Sequence, residues 1–349
     1  MLTEQQRWRG LILGTAVGDS LGLAAEGISR RRAAKMFRQP WRHCFFLRWG
    51  MCSDDTELTV FVAQALLAHP GDSNLFRKRL AWSLRWWLLA LPAGVGLATG
   101  RAIIKLWLGF NPKKSGVYSA GNGAAMRIAP IGAFFAHQPA LLAEYVIAST
   151  LITHTDNKAL IGSKAVAEVI AWIWRENLTL KPTLPEFIIL LRHVDADKEW
   201  QRLVDMIEQG LQQELTVSQF ADLMDLNQGI TGYIYYTVPM VLYAWYTHFG
   251  DFAQTLTSIL NCGGDTDTTG AIVGALVGSV TGEQGMPLPW VNKIFEYPRS
   301  VSFLRQLADR LARGENKPVF YFVPAVILRN LFFLTIVLLH GFRRLLPPY

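Results

Sequence analysis

The stretch NCGGDTDTTGAIVGALVGSV, residues 261–280, sets two aspartates one residue apart between a glycine pair and three threonines, then runs into apolar residues. Asp, Ser and Thr favour a helix start, because their oxygens accept from free amides and carboxylate charge complements the helix dipole. The stretch therefore reads as a glycine turn into a capped helix, with an apolar stripe over Ile272 to Val280. Yet it carries more carboxylate than a cap requires.

Apolar residues recur at three- and four-residue spacing along most of the chain, and no run alternates cleanly with period two, which predicts an all-α fold. In Asp55 to Leu67 the stripe is Leu58, Phe61, Val62, Ala65 and Leu66. Similar stripes run over Leu141 to Leu151, Ala159 to Trp174 and Thr237 to Tyr246. Segments such as LPAGVG and NPKKSGVYSAGNG, rich in Gly, Pro, Ser and Asn, read as connections. There is no fixed-period repeat. Residues 1–312 are expected to form one helical domain and 313–349 a hydrophobic C-terminal extension.

That extension has its own composition. Val319 to Leu339 is 21 residues long, fifteen of them Val, Ile, Leu or Phe, with Arg329 and Asn330 the strongly polar interruptions. Each of the fifteen favours insertion at a bilayer centre by about 0.3–0.6 kcal/mol, against a cost of about 2.5–3.5 for one arginine. The sum leads us to expect membrane association through 319–339, with packing on the domain as the alternative. Basic residues flank both ends (Arg313, Lys317; Arg343, Arg344), so charge gives no orientation.

Across the 349 residues, 51% are hydrophobic and 17% charged, with a net charge of +7. Such a charge suits nucleic acid, a membrane surface or an anionic substrate. The basic stretch Ser29 to His43 falls in no nucleic-acid-binding fold and reads as a solvated face, or as one that meets anionic lipid if the tail holds the domain near a bilayer, so no nucleic acid is expected. Three cysteines, Cys44, Cys52 and Cys262, have neither a disulfide-framework count nor zinc spacing. With no secretory pattern in MLTEQQRWRG, the expected location is the cytoplasm, with the tail placing the chain at the cytoplasmic face of a membrane.

A second acidic cluster, Ser53-Asp54-Asp55-Thr56, also begins a helical stripe. If the two clusters meet, four carboxylates repel unless a cation lies between them. Hard oxygen ligands of this kind suit Mg²⁺, Mn²⁺ or Ca²⁺. Two glycine loops accompany them. The amides around Gly94 and Gly96 precede a helical stretch, where phosphate binds readily, and Ser119 to Arg127 combines Asn and Gly in an amide-exposing segment.

In order, GLILGTAVGDSLGLAAEG (10–27), SDDT (53–56), GVGLATG (94–100), GNGAAMRIAPIG (121–132), THTD (153–156) and NCGGDTDTTGAIVGAL (261–276) resemble the ADP-ribosylglycohydrolases, including the dinitrogenase-reductase-activating type. The resemblance implies a compact orthogonal multi-helix domain that holds two divalent cations, Mg²⁺ or Mn²⁺, and removes ADP-ribose from proteins or small molecules. By position it implies metal ligands Ser53, Asp54, Asp55, Asp265, Asp267 and Thr268, and catalytic roles for Glu26, Asp55 and Asp265. It matches Gly94 and Gly96 to the diphosphate, Ser119, Gly121, Asn122, Gly123 and Met126 to ribose and adenine, and His154 to the substrate pocket. Ser53 stands where many members have Thr. Ala120 stands where some carry an aromatic residue against adenine, a place Tyr118 is read to fill. The competing readings are a membrane-tethered, non-catalytic ADP-ribose binder and a dinuclear metal phosphoesterase.

Overall fold

Gly10, Gly14 and Gly18 recur at every fourth residue of the helix Glu4–Gly22, and Gly270, Gly274 and Gly278 do so in the helix Thr266–Thr281. The two rows face each other antiparallel: a Cβ on Gly10, Gly14 or Gly18 would collide with the carbonyl of Gly278, Gly274 or Gly270 respectively. With no side chains between them, the backbones come close enough that only glycine fits. The pair forms the axis of the molecule. At one end Thr266 Oγ1 donates to Gly22 O at 2.7 Å, so the end of the first helix meets the acidic start of the second.

The computed structural model describes residues 2–37 and 39–348. Among these residues the chain is helical, with isolated bridges and no strand. The predicted stripes fall on the helices Asp54–Ala68, Pro139–Thr150, Asn157–Arg175, Ile234–Thr247 and Thr266–Thr281, with Leu151 of the second stripe just beyond its helix as the C-cap. Asp54–Ala68 exceeds its one-sided stripe, since Thr56, Glu57, Thr59, Val60 and Ala63 are buried as well. A helix buried all round is central, not a surface element.

The C-terminal helix Pro324–Arg344 lies against the domain. Phe333 and Ile336 pack with Leu23, Ala24, Phe45 and Met51. Its two polar interruptions face inward. Arg329 donates to both Glu296 oxygens, at 3.0 and 2.5 Å, and to Cys52 O; fully buried Asn330 donates to Ala90 O at 2.8 Å. The insertion sum counted Arg329 as an uncompensated charge in lipid, whereas it has a carboxylate partner in the protein.

The basic stretch 29–43 is largely solvated, as expected, with Arg31, Ala34 and Arg42 exposed, but some of its side chains also hold the fold together. Arg30 pairs with Asp222 at 2.7 Å. Arg32 donates to the carbonyls of Pro348 (2.9 Å), Leu346 (3.1 Å) and Arg344, fastening the end of the chain. His43 is buried with Nε2 2.7 Å from Trp290 O. Arg38, part of that stretch, lies outside the described residues.

Candidate active site

Asp19 sits near the end of the first axial helix, completely buried. Both of its oxygens accept from Ser53 N (3.0 and 2.9 Å), and Oδ2 also accepts from Thr56 N (3.1 Å) and Thr56 Oγ1 (2.5 Å). One carboxylate thus holds the free amides at the start of Asp54–Ala68, a task usually done by the N-cap residue. Ser53 is that N-cap and accepts from Asp55 N at 3.2 Å. Asp54 and Asp55 therefore project from a fixed turn. Burial raises the Asp19 carboxyl to about 7 despite those hydrogen bonds.

The second cluster is set by glycines. Gly263 and Gly264 have φ of +69° and +82°, the left-handed region that glycine occupies without strain. Gly264 accepts from Gly27 N (2.7 Å) and donates to Ile28 O (2.8 Å), which brings Glu26 beside Asp265. Asp265 occupies the N-cap position of Thr266–Thr281, yet its side chain makes no cap hydrogen bond. Instead Asp265 Oδ2 accepts from Asn122 Nδ2 at 2.7 Å. The expectation of a capped helix holds for Ser53 and fails for Asp265, whose carboxylate is turned toward the cavity loops.

The clusters meet. Thr268 Oγ1 donates to Asp55 Oδ2 at 3.2 Å, and Ser53 Oγ donates to the same oxygen at 2.9 Å. Asp55 Oδ1 is buried with no hydrogen-bond partner. Desolvation first, and neighbouring carboxylates second, push the Asp54, Asp55 and Asp267 carboxyls well above their ordinary range. Glu26, whose side chain is open to the cavity, is raised too, by partial desolvation and then by Asp265, with Arg344 opposing. So much acid with an orphaned oxygen is costly unless positive charge is supplied. Among the described residues, no three of these side chains are already drawn together as a closed metal cage. The fit to divalent cations therefore rests on the donor set, hard oxygens throughout, and on the unsatisfied Asp55 oxygen.

A cavity of about 670 Å³ opens over this acid. Its lining includes Glu26, Asp54, Asp265, Asp267 and Thr268, together with Gly94, Gly96, Ser119, Gly121, Asn122, Gly123, Met126 and His154. Ser53 and Asp55 are not in the wall and stand behind it, both buried. Gly96 precedes the helix Leu97–Trp107, so free amides of that helix start lie at the cavity. His154 Nδ1 lies 2.8 Å from Thr153 Oγ1, and burial followed by Arg127 pushes the ring down to about 3, so it is neutral at physiological pH. Tyr118, read to replace the aromatic missing at Ala120, is 84% exposed and lies outside the wall.

Asp19 was not singled out from the sequence, although one acid within an apolar helix was a readable signal. Arg127 was also missed. It is fully buried and donates to Gly123 O (2.7 Å), Ser149 O (2.9 Å) and Thr153 Oγ1 (2.7 Å), joining the loops that carry Asn122 and His154. The wall segment Gln228 to Gly232 was likewise not singled out from the sequence.

The pattern that defines the ADP-ribosylglycohydrolases matches residues 2–318, which contain every residue of this site except Arg344 beside Glu26. The chain belongs to the ADP-ribosylglycohydrolase family. It is 28% identical over 293 residues to the ADP-ribosyl-[dinitrogen reductase] glycohydrolase of Rhodospirillum rubrum, covering 82% of this chain and 89% of that one. An uncharacterised protein of Archaeoglobus fulgidus is 28% identical over 319 residues, covering 88% of this chain and 96% of its relative. A solved structure described as an ADP-ribosylglycohydrolase-related protein complex shares the fold, with a TM-score of 0.63 at 24% identity over 89% of this chain and 99% of that one. This ADP-ribosylglycohydrolase is accordingly an enzyme of glycosidic-bond hydrolysis. Membership favours that activity over the binder and phosphoesterase readings.

Proposed function

We propose that the enzyme cleaves the bond between the distal ribose of ADP-ribose and an acceptor, a protein side chain or a small molecule, and that it does so with two divalent cations, Mg²⁺ or Mn²⁺. Ser53, Asp54, Asp55, Asp265, Asp267 and Thr268 would hold them. When bound, such cations supply Lewis-acid polarisation and orient oxygen ligands. The observation that carries the reading is the unpartnered Asp55 Oδ1, buried among carboxylates that converge from two helix starts.

The remaining steps belong to the chain's own residues. The amides at Gly96 and the start of Leu97–Trp107 suit the diphosphate, since a helix N-terminus favours anions. Neutral His154 and the loop Ser119 to Gly123 line the same wall and suit a ribose or base edge. Asn122 spends its amide on Thr237 (3.0 Å) and Asp265 (2.7 Å), so it orients the acid and offers only its oxygen to a substrate.

Glycosidic cleavage develops positive charge at the anomeric carbon, which nearby carboxylates stabilise. Glu26, its carboxyl raised, suits proton exchange with water or the leaving group, and Asp265 is the other base in the cavity wall, with Asp55 behind it. The three free cysteines are consistent with a cytoplasmic setting. Incubation with ADP-ribosylated arginine, serine and small-molecule acceptors, followed by product analysis, tests the reading. Free ADP-ribose supports it, and AMP as sole product refutes it.

A further inference from the structure

The outward side of Pro324–Arg344 inverts the usual pattern of a surface helix. Ile327, Leu328, Leu331, Leu334, Leu338 and Leu339 are exposed, Leu328 at 71%. The polar Arg329, Asn330 and His340 are turned toward the domain instead. A helix facing water carries its charge outward, and an extended exposed apolar strip marks a surface that something covers.

A two-residue turn extends the strip. Phe46 and Trp49 exchange backbone hydrogen bonds at 3.0 and 2.7 Å. Leu47 and Arg48 between them have φ of 46° and 71°, a left-handed geometry favoured by Gly and Asn. The turn holds Leu47 at its tip, 79% exposed. Phe46 packs edge-on to Phe332 at 5.0 Å, so turn and helix form one surface.

Charge lies alongside. At the C-terminal end of the helix a cavity of about 930 Å³ is lined by Arg42, Arg48, Lys293, Arg343 and Arg344, and no Asp or Glu is among its described lining residues. Arg48 belongs both to this cavity and to the apolar turn. A protein interface interleaves hydrogen-bonding groups with its apolar core, and the helix strip has almost none to offer. Lipid requires none, and anionic headgroups match the acid-free cavity.

We propose that the outer side of Pro324–Arg344, the Leu47 turn and the basic cavity form a peripheral docking surface for an anionic lipid bilayer. The helix lies on the bilayer and does not span it. Leaving the domain to span would strip Glu296 of Arg329 and leave a buried carboxylate unpaired.

Co-sedimentation of the full chain with vesicles of phosphatidylcholine alone, or mixed with phosphatidylglycerol, tests this. The mixed vesicles are expected to bind at least about tenfold more tightly than the neutral ones, and less tightly as salt rises. Leu47→Asp with Leu338→Asp should abolish binding, while Arg42→Glu with Arg48→Glu should erase the preference for anionic lipid. The arginine pair is exposed, so it keeps the test valid should the aspartate pair unfold; release of ADP-ribose from soluble substrate should be unchanged in it. Absence of binding to either vesicle overturns the proposal. So does binding that neither pair alters, or a wild-type dimer that the aspartate pair dissociates without any vesicle binding.

Discussion

Asn122 donates its side-chain amide to Asp265 Oδ2 at 2.7 Å, across 143 residues of sequence. The glycine loop that lines the cavity and the acidic helix start therefore form one unit. A hydrogen bond to a charged group contributes about 1.5–3 kcal/mol. Asn122→Ala should lower kcat/KM by about 10- to 100-fold, at about 1.4 kcal/mol per tenfold, and raise the Mg²⁺ concentration needed for half-maximal rate. Steady-state kinetics against Mg²⁺ would show both changes.

The raised acids make a stability prediction with a defined sign. Asp19 is held up to about 7 from an ordinary 3.8 by burial, so the folded protein retains a proton that the unfolded chain has released. That contribution is full below pH 3.8 and is lost as pH rises toward 7. Glu26, Asp54, Asp55 and Asp267 shift in the same direction. The metal-free enzyme should lose Tm over this interval, and Mg²⁺ should restore more of it at pH 7.5 than at pH 5, by roughly a few degrees or more. Differential scanning calorimetry with and without EDTA gives the comparison.

The glycine rows allow a packing test far from the chemistry. Gly14 faces Gly274 O with no room for a Cβ. Gly14→Ala should destabilise by about 1–3 kcal/mol through overpacking, and Gly14→Val by more. Parting the two axial helices also shifts the start of Thr266–Thr281, with Asp267 and Thr268, relative to Asp19, so activity should fall with stability. Urea unfolding midpoints measured beside turnover would show the two losses together.

Arg344 lowers the Glu26 carboxyl against the partial desolvation that raises it. Removing the guanidinium with Arg344→Ala should raise Glu26 further. If deprotonated Glu26 is the active form, the acid limb of the kcat/KM profile moves to higher pH. An unmoved limb in the pH–rate profile would show that Glu26 does not set it.

The helices were legible because their 3.6-residue period is local, and the two acidic clusters because each carries more carboxylate than capping explains; the cavity loops were named only through the family resemblance. What could not be read depends on partners distant in the chain. Gly10, Gly14 and Gly18 show their purpose only against Gly278, Gly274 and Gly270. Arg329 counts as a membrane cost until Glu296 is placed beside it. Asp19 is one acid in an apolar helix, and its role appears only when Ser53 and Thr56 present their amides to it. Asp265 stands at a cap position by sequence, but Asn122 draws its carboxylate away.

Asp265→Asn tests the central claim most directly. The change keeps size and removes one charge from the acids that converge at the cavity. Release of ADP-ribose from ADP-ribosylarginine, or from whichever acceptor the wild type prefers, should require Mg²⁺ or Mn²⁺, stop with EDTA, and fall by at least about 1,000-fold in the variant, the range in which loss of a principal catalytic group is felt. A variant that hydrolyses at the wild-type rate, or a wild type indifferent to EDTA, would contradict the account.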